Sequence, residues 1–328
     1  MKRELRNSKR WVVRCLPALV VAAGLLLSGR TGLTAATSAQ DDQPSPKFSV
    51  KTYSTLMEAR VFDRDGNYVS GLKKTDFQVT VKSRRRELLS FKEEQQAPLS
   101  LAVLIDLGSS MQEDDIVSAK QAVLDLIHLL GPEDELLLGV YDRDVDFLTG
   151  LTASRPDVIE GLRNVSPEGR VGFWKRLSSA FGTSALTGYA IDEALLRLKP
   201  ARYQNKVVLV FSAAFGNLGR GTEDHLREAG ARLFAVGWKN SLGDAFNLWG
   251  DKTSRKGLLQ HSAGAAYSGA SIQQRLQSLK TAMTSFYLFA YAPSPDEEPS
   301  EEVTISVVGH PEYQVNTLRR VANQNAFY

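Results

Sequence analysis

Two rhythms of apolar and polar positions divide this chain. Residues 48–97 carry strand patterns: Phe48–Asp63 is rich in β-formers and runs into the turn signal Asp63-Arg64-Asp65-Gly66-Asn67. Phe77–Val81 alternates with a period of two, and Glu87–Phe91 is a third short strand. The basic stretch Lys82–Arg86 predicts a hairpin with Arg84, Arg85 and Arg86 at a solvated tip. From Pro98 to Ser285 continuous apolar runs alternate with helical periodicity. Strands are predicted at 100–106, 135–141, 145–151, 206–212, 232–238 and 265–268, and helices at 113–130, 156–164, 185–198, 222–230, 255–263 and 271–284. Ser110-x-x-Glu113 and Ser271-x-x-Gln274 read as capping boxes. This alternation predicts the α/β class, with a Rossmann-like, doubly wound, mostly parallel sheet and right-handed crossovers. Strand rhythm returns at Phe286–Tyr291, Val303–Val308 and Tyr313–Leu318.

A few strands at either end cannot bury a two-sided core alone. The two sets are expected to join into one small β-sandwich, with the α/β domain inserted between them; two separate β appendages are the alternative. The expected boundaries are 48–97 and 286–320 for the sandwich halves, 98–285 for the α/β domain and 321–328 for a tail. Residues 165–183 are irregular but carry Phe173, Trp174 and Phe181, which predicts either burial against the domain or a contact patch.

The first 39 residues lie outside both rhythms. Lys2, Arg3, Arg6, Lys9, Arg10 and Arg14 precede an apolar run, Cys15–Leu27, and small residues lead to Ala36 and Ala39. This is the pattern of a secretory signal peptide, with cleavage expected near Ala39. The run is shorter than the roughly 17–25 residues of a spanning helix, and Arg30 blocks its extension; an uncleaved anchor is the alternative. Residues 40–47, with Pro44 and Pro46, read as a linker. The mature protein is expected in the periplasm or outside the cell, with no membrane segment.

Charge follows from that division. The leader holds seven of the 40 basic groups and one of the 37 acidic groups, so the remainder carries 33 and 36 and a formal charge of −3. The basic balance of the whole chain belongs to the leader and gives no reason to expect a nucleic-acid partner. Cys15 is the one cysteine, which excludes a disulfide or a thiolate metal site from the mature part.

The candidate chemistry is concentrated at Leu101–Met111. An apolar strand ends in Asp106 and opens into Leu107-Gly108-Ser109-Ser110, followed by a helix start. Such a strand end suits a divalent cation or an anionic ligand. With Ala59–Asp63, Gly66, Val69–Leu72, Asp76-Phe77 and the entry Ala97–Ser100 before it, and Tyr287–Tyr291 after it, the chain resembles a von Willebrand factor type A (VWA) domain protein. More narrowly, it is similar to the secreted bacterial, acidobacterial-type VWFA-related family.

The resemblance implies a metal-ion-dependent adhesion site built from three loops: Asp-x-Ser-x-Ser, a Thr, and an Asp ending the fourth strand. Hard oxygen donors of this kind suit Mg²⁺ or Mn²⁺. Residue by residue, Asp106 matches the leading carboxylate, Ser110 the second serine and Ser184 the threonine, with Thr183 as its alternative. Gly108 replaces the first serine and Ala213 the aspartate. The expected metal residues are therefore Asp106, Ser110 and Ser184, in a degenerate and unoccupied site. Asp142, Asp144 and Asp192 compensate only if their segments fold toward it.

Ser110 and Asp106 also have plain structural roles, as a helix cap and as an acceptor for backbone N–H groups in the turn. His128, His225, His261 and His310 have no ligand-type spacing. Gly182–Leu186 lacks the second glycine of a nucleophile elbow, and Gly216–Gly221 has the wrong spacing for a dinucleotide fingerprint. The expected function is a non-catalytic exported binding module that meets a protein partner at the strand-edge face without a cofactor. A metal-dependent adhesion module holding Mg²⁺ or Mn²⁺ weakly is the first alternative, and a hydrolase using the same crevice is the second.

Overall fold

Strands form where the chain alternates or runs apolar between turn formers. A computed structural model of the chain describes residues 54–108, 111–142, 144–166, 184–213, 219–238, 262–297 and 303–320, with the backbone alone at 184–186, 219, 220 and 270. In chain order the strands are β1 (Thr55–Phe62), β2 (Phe77–Val81), β3 (Arg84–Arg86), β4 (Leu88–Glu94), β5 (Ser100–Asp106), β6 (Glu135–Tyr141), β7 (Val145–Phe147), β8 (Lys206–Ser212), β9 (Ala231–Gly237), β10 (Ala265–Ser268), β11 (Phe286–Tyr291), β12 (Val303–Val307) and β13 (Gln314–Arg320). Among the described residues the α-helices are α1 (Glu113–Leu129), α2 (Arg155–Arg163), α3 (Ser184–Arg197), α4 (Gly219–Ala229) and α5 (Ile272–Thr284). The leader, the linker 40–47, Phe173, Trp174, Phe181, most of the predicted helix 255–263 and the tail lie outside the described residues.

The central sheet has the order β10-β9-β8-β5-β6-β7, parallel throughout except for β6–β7. β5 is buried at every residue, as a strand with a parallel neighbour on each side and helices on both faces should be. Alternation sorts its side chains: Leu101, Val103 and Ile105 join the core that includes Ile116 and Val123 of α1 and Leu279 of α5. Ala102 and Leu104 join the opposite core, with Ala190, Ile191 and Ala194 of α3. This is the doubly wound α/β sheet expected from the sequence. Strand order reverses at β5, so the switch point falls between the carboxyl ends of β5 and β8.

The outer strands join across the chain. One sheet has the order β13-β1-β11-β4 and a second the order β12-β2-β3, so each mixes strands from before and after the α/β segment. Met57, Ala59 and Val61 of β1 face Phe77, Val79 and Val81 of β2 across an aromatic core. Phe77 lies 4.8 Å from Phe289 and 5.1 Å from Tyr287, ring centre to ring centre. The Tyr287 hydroxyl donates to Val69 O (2.8 Å) and accepts from Leu72 N–H (3.1 Å), which fixes the segment Val69–Leu72. The Asp63–Asn67 turn closes as its sequence predicts, with Asp63 Oδ1 accepting from the N–H groups of Asp65 (2.9 Å) and Asn67 (2.8 Å).

β1 is buried on its other face too. Glu58 and Arg60 point away from the aromatic core, toward the amino ends of β8 and β9. Glu58 forms ion pairs with Arg60, Arg232 and Arg320, and Arg60 and Arg232 are fully buried. Arg60 also donates to the last carbonyls of α5, Ala282 O (2.7 Å) and Met283 O (3.1 Å), where the helix dipole favours a cation. All three guanidiniums lie within about 6 Å of the Phe286 ring, at 5.1 Å for Arg60, 6.0 Å for Arg232 and 5.2 Å for Arg320. Burial by itself pushes the Glu58 carboxyl up; the guanidiniums of Arg232, Arg60 and Arg320 outweigh it and hold the group well below 4.5. Further bonds, Asn316 Nδ2 to Gly264 O (2.5 Å) and Arg275 to Asp65 O, join the sandwich to the α/β core.

Several local expectations are corrected. The box at the start of α1 uses Gln112 and Asp115, with Gln112 N–H donating to Asp115 Oδ2 (3.2 Å), two residues beyond the one predicted at Ser110. Ser271 occupies the N-cap position of α5 without capping it: at φ −117° and ψ 10° it lacks the extended conformation a capping side chain needs. The arginines do not form a hairpin tip. Lys82 (φ 48°) and Ser83 (φ 61°) make the two-residue turn, and Arg84–Arg86 pair with Val79–Val81. Arg86 then meets Glu297 at 3.0 Å in a mostly buried pair. The third α/β strand is also shorter than predicted and ends at Phe147.

Candidate functional site

Alternation and register assemble the site. Ala102, Leu104 and Asp106 lie on the α3 side of β5, and Val208, Val210 and Ser212 on the same side of β8. Because Ile105 pairs with Phe211, the next residues, Asp106 and Ser212, stand side by side. Asp106 also pairs with Tyr141, which ends β6 on the same face. Three strand ends therefore bring a carboxylate, a hydroxyl and a phenol together at the switch point.

Asp106 is 1% exposed and its carboxylate is engaged at both oxygens. Oδ1 accepts from Gly108 N–H (2.7 Å) and Oδ2 from the Ser212 hydroxyl (2.6 Å). The Tyr141 hydroxyl lies 3.3 Å from Thr187 Oγ1 of α3, and both residues are buried. Burial, reinforced by the negative charge of Asp106, pushes the Tyr141 phenol well above 10; hydrogen bonds with the Thr187 and Ser212 hydroxyls oppose that shift. Tyr141 is thus a neutral phenol in this network at any physiological pH.

The residues expected to hold a metal are placed unequally. Asp106 is at the predicted strand end, and Ser184 is the first residue of α3. Ser110, Thr183 and the side chain of Ser184 lie outside the described residues. Gly108 and Ala213 add no side-chain oxygen, and the Ala213 methyl packs in the core at 5% exposure. Asp192 is two turns along α3, roughly 12 Å from its start, and pairs with His225 Nδ1 of α4 (2.9 Å). Asp144 is exposed and accepts from its neighbour Val145 N–H (2.8 Å). Among the described residues no three His, Cys, Asp or Glu side chains come together as a metal site. A cation at this strand end finds one described carboxylate, already accepting two hydrogen bonds.

Sequence reasoning missed Ser212, Tyr141 and Thr187. The signal was present but faint: Ser212 ends an apolar strand at the same parity as Asp106, and Tyr141 ends another. The register that joins them is a property of the sheet, invisible in any one segment.

Models of known protein families give no match to this chain, and no curated protein sequence matches it. Solved structures do. A von Willebrand factor type A protein from Catenulispora acidiphila is similar over 83% of this chain and 75% of its own, with 8% identity and a TM-score of 0.41. Proximal thread matrix protein 1 from the mussel byssus is similar over 58% of this chain, with 14% identity and a TM-score of 0.41; the match spans 49% of its own length. BatB from Bacteroides thetaiotaomicron covers 57% of this chain and is matched over 98% of its own, with 16% identity and a TM-score of 0.39. With β5 at the switch point, a single antiparallel edge at β7 and helices on both faces of the sheet, the inserted part of this chain is a doubly wound, Rossmann-like α/β domain.

Proposed function

We propose that this protein is an exported, non-catalytic VWA module of the secreted bacterial VWFA-related type, which binds a protein partner at the carboxyl edge of its central sheet without a metal. The observation that carries this reading is the state of Asp106: its two oxygens accept from Gly108 N–H and Ser212, and the next residue after Ser212 is Ala213, whose methyl is buried. The Glu58 and Arg60 contacts of the β-sandwich support the choice of face, since they fall at the amino ends of β8 and β9 and at the end of α5, while the Asp63–Asn67 turn reaches Arg275 at the start of α5 and Tyr267 of β10.

The histidines support a non-catalytic reading. His128 is in the last turn of α1, His225 pairs with Asp192 between α3 and α4, and His310 stacks on Tyr313 in the sandwich (4.6 Å). None of these three described histidines stands beside Asp106 or Ser212 as a general base must, and His261 lies outside the described residues. Among the described residues no helix is long and apolar enough to cross a membrane; export rests on the leader pattern in the sequence. The test is capture from a cell-envelope extract by the immobilised mature chain. The same partner retained equally in millimolar Mg²⁺ and in excess EDTA is the expected result; capture lost in EDTA overturns the metal-free reading.

A further inference from the structure

A bound cation in a three-loop site does two jobs: it meets the ligand and it ties the loops together. The second job is needed whether or not a metal is present, because loops at a strand edge are otherwise independently mobile. Here Asp106 of β5, Ser212 of β8, Tyr141 of β6 and Thr187 of α3 form one buried chain of polar groups. Its direction is set at one end. A carboxylate only accepts, so Ser212 must donate to Asp106, and toward the neutral Tyr141 phenol the Ser212 oxygen acts as the acceptor. Asp106 in turn holds Gly108 N–H (2.7 Å), and Leu107 N–H donates to Tyr141 O (2.7 Å), so the first loop is gripped from both sides.

We propose that Ser212, Tyr141 and Thr187 are positioning residues: with Asp106 they form a hydroxyl brace that locks three strand ends and the start of α3 in one geometry, in the place of a bridging cation. The proposal rests on the metal-free reading above. It assigns the brace a local role, distinct from ordinary core packing. Buried networks of this kind fix one arrangement when every member is satisfied, and no buried side-chain polar atom among the described residues lacks a partner.

The test is amide hydrogen exchange on the full chain, comparing wild type with Ser212→Ala and Tyr141→Phe. Loss of one buried hydrogen bond should speed exchange of the Leu107, Gly108 and Met111 amides about tenfold, while Val103 and Leu209 at the sheet centre keep their wild-type rates. Uniformly faster exchange across the sheet, or unchanged rates at Leu107 and Gly108, overturns the proposal. Ser212→Asp is the second arm, since it sets a second carboxylate against Asp106. A brace that stands in for a cation predicts that this variant melts several degrees higher in millimolar Mn²⁺ than in EDTA, and no Mn²⁺ effect on it counts against the brace. A rise in the wild type instead sinks the metal-free reading, with the exchange results still deciding the brace.

Discussion

A carboxylate withdrawn from water persists as an anion only where donors or a cation replace its hydration. At Asp106 the replacements are a backbone N–H and a serine hydroxyl, each at or below 2.7 Å, in the range of charge-assisted hydrogen bonds. The two positions that would add oxygen donors hold Gly108 and Ala213. A serine at position 108 and an aspartate at position 213 would restore both. On the metal-free reading, the double variant Gly108→Ser/Ala213→Asp is therefore predicted to gain a cation site. Its melting temperature should rise by several degrees in millimolar Mn²⁺, as binding at about 100 times Kd adds about 2.7 kcal/mol. A flat response would mean that the missing donors are not what keeps a cation out. At this scale the sequence was readable where a side chain is missing from a motif. It was silent on Ser212, Tyr141 and Thr187, because a hydroxyl ending an apolar run acquires meaning only when register sets it beside Asp106.

Elements tell a similar story about what a linear pattern can carry. The described strands and helices of the α/β part fall within a few residues of their predicted places, since buried parallel strands and amphipathic helices write strong periodicities. β1 is the exception. Glu58 and Arg60, which alternate with Met57, Ala59 and Val61, are both fully buried, because the sheet is covered on both sides. The clamp they form joins β1, β9 and β13 and caps α5 through Arg60. Removing the one acid among three arginines leaves buried guanidiniums without a counter-charge. Glu58→Gln is predicted to destabilise the protein by about 3–5 kcal/mol, measured as a lower urea midpoint. A change under about 1 kcal/mol would show that the carbonyl oxygens and Phe286 suffice to hold the cations.

For the molecule as a whole, the sandwich closes around the insertion: β1 lies between β11 and β13, and β2 pairs with β12. The sequence allowed joined or separate strand sets, and the choice rested on burial, since neither set alone hides its apolar face. The clamp also gives the molecule a predicted acid profile. The folded Glu58 is held below its ordinary 4.5, so its contribution is complete above that value and drains away only as pH falls further below it. Stability of the wild type should therefore fall below pH 4.5 through this group, and Glu58→Gln should flatten that part of the curve. Equal slopes for both proteins would contradict the assignment.

The account turns on a rim shaped by hydrogen bonds alone. Its most direct test is to titrate the mature wild-type protein into micromolar Mn²⁺ and follow the free-ion signal by electron paramagnetic resonance. The predicted result is a signal that stays undiminished up to protein concentrations of hundreds of micromolar. A stoichiometric loss of free Mn²⁺ that disappears in Asp106→Ala would contradict it.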